Sequence, residues 1–152
     1  MKRNGWIATA AVAVIAMVLI WFAVSPAEAS VLDGKSAVVH KGDSCGCCNV
    51  YVGYAEKTMA VQVLNNGEAI KNQYNIPTDL RSCHTTVVDG YFVEGHMPLE
   101  AIEKLVTEKP DIAGIALAGM PYGSPGMPGA KQGPFIVYAV NKDGTYQEYM
   151  RI

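Results

Sequence analysis

A regular change of hydrophobic period along residues 37–109 limits the fold more than any other feature of the sequence. Short apolar or alternating segments are followed by segments whose apolar residues recur at three- and four-residue spacing. The first pattern predicts strands and the second predicts amphipathic helices. The predicted strands cover residues 37–41, 60–64, 85–88 and 91–94, and the predicted helices start at Asn49, Glu68 and Pro98. We therefore expect an α/β domain.

The order of these elements is β-α-β-α, then a β-hairpin, then a helix, which is the order of the thioredoxin-like fold. Right-handed crossovers leave few other topologies for this order. A further Asp-Gly turn at Asp143-Gly144 predicts an added C-terminal hairpin made of residues 135–140 and 145–150. Residues 119–129, between the last predicted helix and this hairpin, are so rich in glycine and proline that we expect them to form a loop.

Three of the four cysteines lie between the first predicted strand and the first predicted helix, as Cys45-Gly46-Cys47-Cys48. A helix N-terminus stabilises thiolates, and thiolate is the form that binds metal or attacks a disulfide. Cys45 and Cys48 have the C-x-x-C spacing of a dithiol oxidoreductase, but the thiol of Cys47 would compete for their disulfide and suits a soft metal ion better. Two structural disulfides are the competing interpretation. The adjacency of Cys47 and Cys48 disfavours it, because one pairing would be local and strained.

Cys83 and His84 are the expected partners of this cysteine cluster. They directly precede the third predicted strand, and in a thioredoxin-like fold the loop that enters this strand faces the N-terminus of the first helix. The predicted metal ligands are therefore Cys45, Cys47, Cys48, Cys83 and His84.

Four further residues are candidate donors for which packing is an equally good interpretation. His96 and Met97 follow the second strand of the predicted hairpin, and Met120 and Met127 lie in the glycine- and proline-rich loop. Thiolate, imidazole and thioether together suit Cu(I), whereas a structural zinc site needs only four nitrogen or sulfur donors. Copper, expected as Cu(I), is therefore the predicted metal, ahead of zinc.

Residues 1–29 are expected to act as a signal peptide or an N-terminal membrane anchor. Two basic residues precede an apolar run over residues 6–24, and Ala27-Glu28-Ala29 suits a signal peptidase. The run is longer than that of most removable signals and nearly long enough to span a bilayer, so cleavage and anchoring both stay open. In either case residues 30–152 are expected to lie in the periplasm or another extracytoplasmic space.

The composition and the motifs exclude several classes of function. The chain has 152 residues with 12 basic and 14 acidic side chains, so it offers no basic face to nucleic acid. It also has no triad pattern of a serine hydrolase, no H-E-x-x-H zinc motif and no phosphate-binding glycine loop. The expected partners are copper ions and other periplasmic copper-handling proteins, and membrane contact is expected only through the N-terminal segment.

Four sequence blocks in the predicted exported domain carry a family resemblance. They are Cys45-Gly46-Cys47-Cys48, Ser82-Cys83-His84-Thr85 leading into Asp89-Gly90-Tyr91, Glu94-Gly95-His96-Met97-Pro98, and residues 119–127. In this order they resemble the CopG-like family of exported metal-binding proteins, long known as a domain of unknown function. The resemblance implies a thioredoxin-like fold, a periplasmic setting, and copper binding or copper resistance at the cysteine cluster and Cys83-His84. The chain departs from the family pattern at Tyr51, Met97 and Ala118, where the family has tryptophan, valine and proline, and none of these changes removes a predicted ligand.

The sequence therefore predicts an exported protein that sequesters Cu(I) or hands it over in copper resistance or homeostasis. The alternative is an enzyme, a thiol-disulfide or copper-redox oxidoreductase of the thioredoxin-like type. In that case Cys45 would be the exposed nucleophile and Cys48 the resolving thiol. Cys47 separates the two functions, because a dithiol enzyme does not need it and a thiolate metal site does.

Overall fold

The computed structural model describes residues 29–152. The apolar run over residues 6–24 lies outside the described residues, as does the rest of the predicted signal peptide or anchor up to residue 28. Among the helices of residues 29–152, none has both the length and the apolar character that a membrane crossing requires.

Seven strands and three α-helices form in this part of the chain, in the order β1-α1-β2-α2-β3-β4-α3-β5-β6-β7. The strands are β1 (Ser36–Lys41), β2 (Ala60–Leu64), β3 (His84–Val88), β4 (Tyr91–Glu94), β5 (Gly114–Ala116), β6 (Ile136–Val140) and β7 (Tyr146–Arg151). The helices are α1 (Gly46–Ala55), α2 (Gly67–Gln73) and α3 (Leu99–Glu108), and a 3-10 turn forms at Thr78–Leu80. The predicted mixed α/β order is confirmed, with the observed ends of most elements within one to three residues of the predicted ones.

All seven strands belong to one sheet, in the order β2-β1-β3-β4-β5-β6-β7. β1 pairs parallel with β2, through the crossover that α1 provides, and antiparallel with β3. β3 and β4 form the predicted hairpin, whose turn residues Asp89 and Gly90 have φ angles of 49° and 86°. Positive φ at both central residues is the type I′ turn that matches the twist of two-residue hairpins.

The strand β5 was not predicted, and it is the element that joins the C-terminal hairpin to the rest of the sheet. It pairs parallel with β4 and antiparallel with β6, so the hairpin β6-β7 extends the sheet rather than standing apart. Three residues are too few to show a period. Gly114 is required in β5, because a Cβ there would collide with the backbone oxygen of Phe92.

Apolar side chains cover both faces of the sheet. Successive residues of β4 point to opposite faces, and Val93 accordingly packs in a large cluster with α1 and α3, whereas Phe92 packs in a smaller cluster with Ile76 and Leu80. On the large-cluster face, α3 buries the stripe Ala101, Ile102, Leu105 and Val106. The sheet is therefore a central layer, with its metal-candidate residues at the ends of β1, β3 and β4.

Candidate metal centre

The two parts of the predicted ligand set meet because β3 runs antiparallel to β1. Lys41, the last residue of β1, pairs with His84, the first residue of β3. The chain leaves β1 into the turn that carries Cys45, and it enters β3 directly after Cys83. The topology therefore brings Cys83 and His84 to the N-terminus of α1.

Helix α1 begins three residues before the predicted start. Cys45 occupies the N-cap position with an extended backbone, and Cys47 and Cys48 lie in the first turn. The free N–H groups of this turn and the positive end of the helix dipole favour negative charge on the sulfurs. Cys48 is fully buried, whereas Cys45 and Cys47 are partly exposed.

The four cysteine sulfurs form one cluster in which all of them lie within 4.8 Å of one another. Cys47 Sγ is 3.6 Å from Cys45 Sγ and 3.7 Å from Cys83 Sγ. Cys45 and Cys48 are joined by a disulfide, with their Cα atoms 5.3 Å apart, while Cys47 and Cys83 are free thiols. The alternative of two structural disulfides would also need a Cys47–Cys83 bond, and this bond is not formed among the described residues, which include all four cysteines.

A second donor group consists of Cys83, His84 and His96, whose ligand atoms also lie within 4.8 Å of one another. Cys83 Sγ is 3.4 Å from His84 Nδ1 and 2.9 Å from His96 Nε2. The two imidazoles are fully buried and meet edge to face, with ring centroids 4.8 Å apart. Cys83 is thus common to the cysteine cluster and to the histidine pair.

His96 is held in one tautomer. Its Nδ1 is 2.7 Å from the carbonyl oxygen of Pro125, and a carbonyl can only accept, so Nδ1 carries the proton and donates it. Nε2 therefore presents a lone pair toward Cys83. A hydrogen bond from one ring nitrogen that orients the other toward a metal is the usual arrangement of metal-binding histidines.

His84 is a neutral imidazole with an unsatisfied nitrogen. Burial, with smaller contributions from the charges of His96 and Lys71, lowers its pKa from 6.5 to about 3. Its Nε2 is one of two buried side-chain polar atoms without a hydrogen-bond partner among the described residues. Such atoms are rare in folded proteins, and a neutral imidazole is the form that binds metal.

Burial also governs the protonation of the shared cysteine. Burial, together with the neighbouring Cys47, raises the pKa of the Cys83 thiol to about 12. Cys83 is therefore a protonated thiol in the metal-free protein near neutral pH. A metal ion that binds there must displace this proton.

The glycine- and proline-rich loop packs against the centre at Gly126. A Cβ at this position would lie 2.9 Å from Tyr51 N, 3.1 Å from Cys47 O and 3.2 Å from His96 Nδ1, and the φ angle is +84°. Met120 is about half exposed and Met127 is partly buried. Ligation by these two methionines stays a prediction.

Met97 packs in the large hydrophobic cluster and is fully buried. Its carbonyl oxygen accepts a hydrogen bond from Tyr51, whose ring lies 4.3 Å from that of His84 and 5.7 Å from that of His96. Burial raises the pKa of Tyr51, so it remains a neutral phenol. Tyr51, which differs from the family pattern, therefore packs its ring against both histidine rings.

Glu94 and Lys71 lie near the centre, although no role was predicted for either residue. The Glu94 carboxylate accepts hydrogen bonds from Ser82 and Thr85, and Lys71 Nζ is 3.6 Å away. Burial raises the pKa of Glu94, and these hydrogen bonds and the lysine counteract the increase. A glutamate at a strand end and a lysine on a short helix look like ordinary surface charges in the sequence, so no local pattern marks them.

Part of the chain matches a known protein family. A family model described as "Protein of unknown function, DUF411" matches residues 80–127, the segment that contains Cys83, His84 and His96. No curated protein sequence matches the chain at a significant level.

Two solved structures share its fold and much of its sequence. They are named copper resistance protein CopG, Form 1 and Form 2, and each is 35% identical to this chain, with TM-scores of 0.71 and 0.69. The matches cover 79% of this chain and 98% and 99% of the two solved chains. Identity at this level over nearly the whole length of both structures means that this chain belongs to the CopG family.

Proposed function

We propose that this chain binds copper ions in copper resistance, with Cu(I) as its cargo. The observation that carries the proposal is the group of four cysteine sulfurs within 4.8 Å of one another. Thiolates held about 2.3 Å from one ion in tetrahedral geometry lie about 3.8 Å apart. This spacing is close to the 3.6 and 3.7 Å that separate Cys47 Sγ from its two neighbours. Both related structures are named copper resistance protein, which supports copper as the metal.

The proposed ligands are Cys45, Cys47, Cys48, Cys83 and His84, and the contact between His96 and Cys83 adds His96 to them. Thiolates and neutral imidazoles suit Cu(I). A structural zinc site is complete with four such donors, and the two donor groups together offer more than that. Because Cys83 belongs to both groups, its thiolate can join them.

Copper binding at all four sulfurs requires reduction of the Cys45–Cys48 disulfide, because a disulfide sulfur carries no thiolate charge. The reduction consumes two electrons and two protons, which two molecules of a thiol reductant supply as they join in a disulfide of their own. In the disulfide form the sulfurs of Cys45 and Cys48 are not thiolate ligands, and the dithiol form is the state that takes up Cu(I) at all four cysteines.

A thiol-disulfide oxidoreductase is the second candidate function, and the same disulfide favours it. Cys45 is partly exposed at the helix N-terminus and Cys48 is buried, as expected for a nucleophile and a resolving thiol. A substrate thiolate would attack Cys45 Sγ and release Cys48 as a thiolate, and a second substrate thiol would then release Cys45. The protein would gain a dithiol, and the two substrate thiols would leave as a disulfide.

We also propose a thioredoxin-like core and an extracytoplasmic location. The strand order β2-β1-β3-β4, with β3 antiparallel to its neighbours, supports this fold for the part from β1 to α3. Residues 1–29 would direct export, as a cleaved signal or as an anchor, and residues 30–152 would form the periplasmic copper-binding domain. Its partners would be other periplasmic copper-handling proteins.

The variant Cys47→Ser separates the two functions. Cu(I) binding is measured by competition with a Cu(I)-selective chelator, and disulfide exchange is measured with a small-molecule disulfide. We expect the variant to lose most of its Cu(I) affinity and to keep disulfide exchange. Retention of full copper affinity would contradict the role of Cys47 in copper binding. Loss of disulfide exchange would contradict an oxidoreductase that needs only Cys45 and Cys48.

A further inference from the structure

Glu94 and Lys71 form a charged pair that is removed from solvent. Glu94 is the last residue of β4 and is fully buried, and Lys71 of α2 is 1% exposed. Lys71 Nζ lies 3.6 Å from Glu94 Oε1. Burying two charges costs more free energy than their attraction returns unless hydrogen bonds complete the pair. The hydrogen bonds that the Glu94 carboxylate accepts therefore indicate the structural role of this buried pair.

The Glu94 carboxylate holds both ends of the dipeptide Cys83-His84. Oε1 accepts a hydrogen bond from the backbone N–H of Ser82 at 2.6 Å, and Oε2 accepts one from the hydroxyl of Thr85. Ser82 directly precedes the dipeptide and Thr85 directly follows it. One rigid carboxylate thus fixes the chain on either side of two candidate ligands.

The residues that follow Glu94 extend this arrangement to the third donor. The N–H of Gly95 donates to the carbonyl of His84 at 2.9 Å, and His96 comes next in the chain. Gly95 has a φ of +84°, and a Cβ there would collide with the backbone oxygen of Leu117. The turn that presents His96 therefore starts from an anchored residue and has little freedom.

We propose that Glu94 is a positioning residue of the metal centre, which sets the mutual geometry of Cys83, His84 and His96 while Lys71 neutralises its charge. The proposal rests on the proposed function, because it names what aligns that site. Hydrogen-bonded carboxylates that orient metal ligands commonly change metal affinity by about 10- to 100-fold when they are lost. An apolar pair in the same place would often be at least as stable, so stability alone does not explain a buried carboxylate here.

The test compares Glu94→Gln with two matched controls. Glutamine keeps the shape of the side chain but loses the charge and one acceptor. Glu68→Gln changes the other carboxylate near Lys71. Glu68 Oε1 lies 3.9 Å from Lys71 Nζ, and the Glu68 side chain is exposed. Val140→Ala removes a buried side chain of the smaller hydrophobic cluster, so it lowers the free energy of unfolding without touching the centre.

Two readouts are used on the reduced full-length protein. The first is Cu(I) affinity, measured by competition with a Cu(I)-selective chelator. The second is the ¹⁵N chemical shifts of the His84 and His96 rings in the metal-free protein, assigned with single-histidine variants. We expect Glu94→Gln to lower the affinity by about 10-fold or more and to move both histidine signals, whereas both controls stay within about twofold of the wild type in affinity.

Adding Lys71→Met to Glu94→Gln gives a further distinction. The double variant removes the unpaired buried cation, so it should regain stability against urea but not Cu(I) affinity. If affinity returns together with stability, Glu94 acts only through stability and the proposal is wrong. The same conclusion follows if Val140→Ala loses as much affinity as Glu94→Gln.

The readouts also distinguish this proposal from the proposed function. Unchanged affinity and unchanged histidine signals in folded Glu94→Gln would overturn the positioning role and leave copper binding intact. If the wild type binds no Cu(I), copper binding fails, and the histidine signals alone decide the positioning role. If Glu94→Gln does not fold, Thr85→Val replaces it and should cost about 5-fold in affinity, the worth of one hydrogen bond. Wild-type affinity in Thr85→Val would contradict the proposal.

Discussion

His96 Nε2 lies 2.9 Å from Cys83 Sγ, although thirteen positions separate the two residues along the chain. The contact joins the residues after β4 to the residue before β3, and it lies next to the cysteine cluster because Cys83 is part of that cluster. It turns a set of thiols into a mixed sulfur and nitrogen centre, because His84 Nδ1 also lies 3.4 Å from the same sulfur. The sulfur of Cys83 is therefore common to both donor groups.

His96 should therefore contribute strongly to Cu(I) affinity. Loss of an outer-shell partner commonly costs about 10-fold or more, so replacing the ligand itself with His96→Gln should cost at least about 10-fold. His40→Gln is the matched control, since His40 is also buried but its Nδ1 bonds Asn66 instead of the centre. Chelator competition measures both. Equal affinities of the two variants would remove His96 from the ligand set.

Acid should destabilise the metal-free protein through His84. Its pKa is about 3 in the folded state and 6.5 in the unfolded state, so the unfolded state binds more protons between these values. The free energy of unfolding therefore falls as pH drops below about 6.5, by at most about 1.4 kcal/mol per pH unit for this one group. Urea unfolding at pH 7 and pH 5 should show a smaller pH-dependent loss in His84→Asn. The same loss in variant and wild type would contradict this origin.

The close packing of Gly126 against the metal centre should limit the access of reagents to Cys47, beyond any effect of its positive φ angle. Gly126→Ala adds a Cβ against Tyr51 N and Cys47 O, whereas a Cβ at Gly119, which also has a positive φ, meets nothing within 4 Å. Both alanines strain the backbone, so the difference between them reports the close approach. We expect Gly126→Ala to speed alkylation of Cys47 by iodoacetamide more than Gly119→Ala does. Equal rates would mean that the loop does not cover the centre.

The loop methionines give a separate prediction. If Met120 and Met127 close over bound copper, replacing both with leucine removes two sulfur donors and keeps the apolar bulk. Release of Cu(I) to a chelator should then be faster, most clearly at acid pH, where thiolates are protonated and thioethers are not. If release is unchanged and the variant is as stable as the parent, the methionines only pack the loop.

The sequence predicted the part of the fold that local patterns encode. The apolar stripe through Tyr51 and Ala55 marks α1, and the Asp89-Gly90 turn marks the hairpin, because both depend on neighbours in the chain. The three-residue strand β5 has no period to detect, and its place in the sheet depends on the close approach of Gly114 to β4. Such pairing arises only in the folded chain.

Only part of the candidate site could be predicted from the sequence. Cys83 and His84 followed from the strand order, since the antiparallel pairing of β3 with β1 fixes where they lie. His96 stayed open, because its role depends on the Pro125 carbonyl that selects its tautomer. Glu94 and Lys71 were missed, because a buried charge cannot be told from a surface charge by local sequence.

Anaerobic Cu(I) titration of the reduced protein against a Cu(I)-selective chelator, with zinc present at equal concentration, tests whether the cysteine and histidine centre selects copper. The wild type should bind Cu(I) ahead of zinc, and the Cys83→Ser variant should lose most of this affinity because the sulfur common to both donor groups is gone. Val140→Ala, which lies away from the centre, should bind as the wild type does. Displacement of copper by zinc, or full Cu(I) affinity in Cys83→Ser, would mean that this centre is not a Cu(I) site built around the Cys83 sulfur.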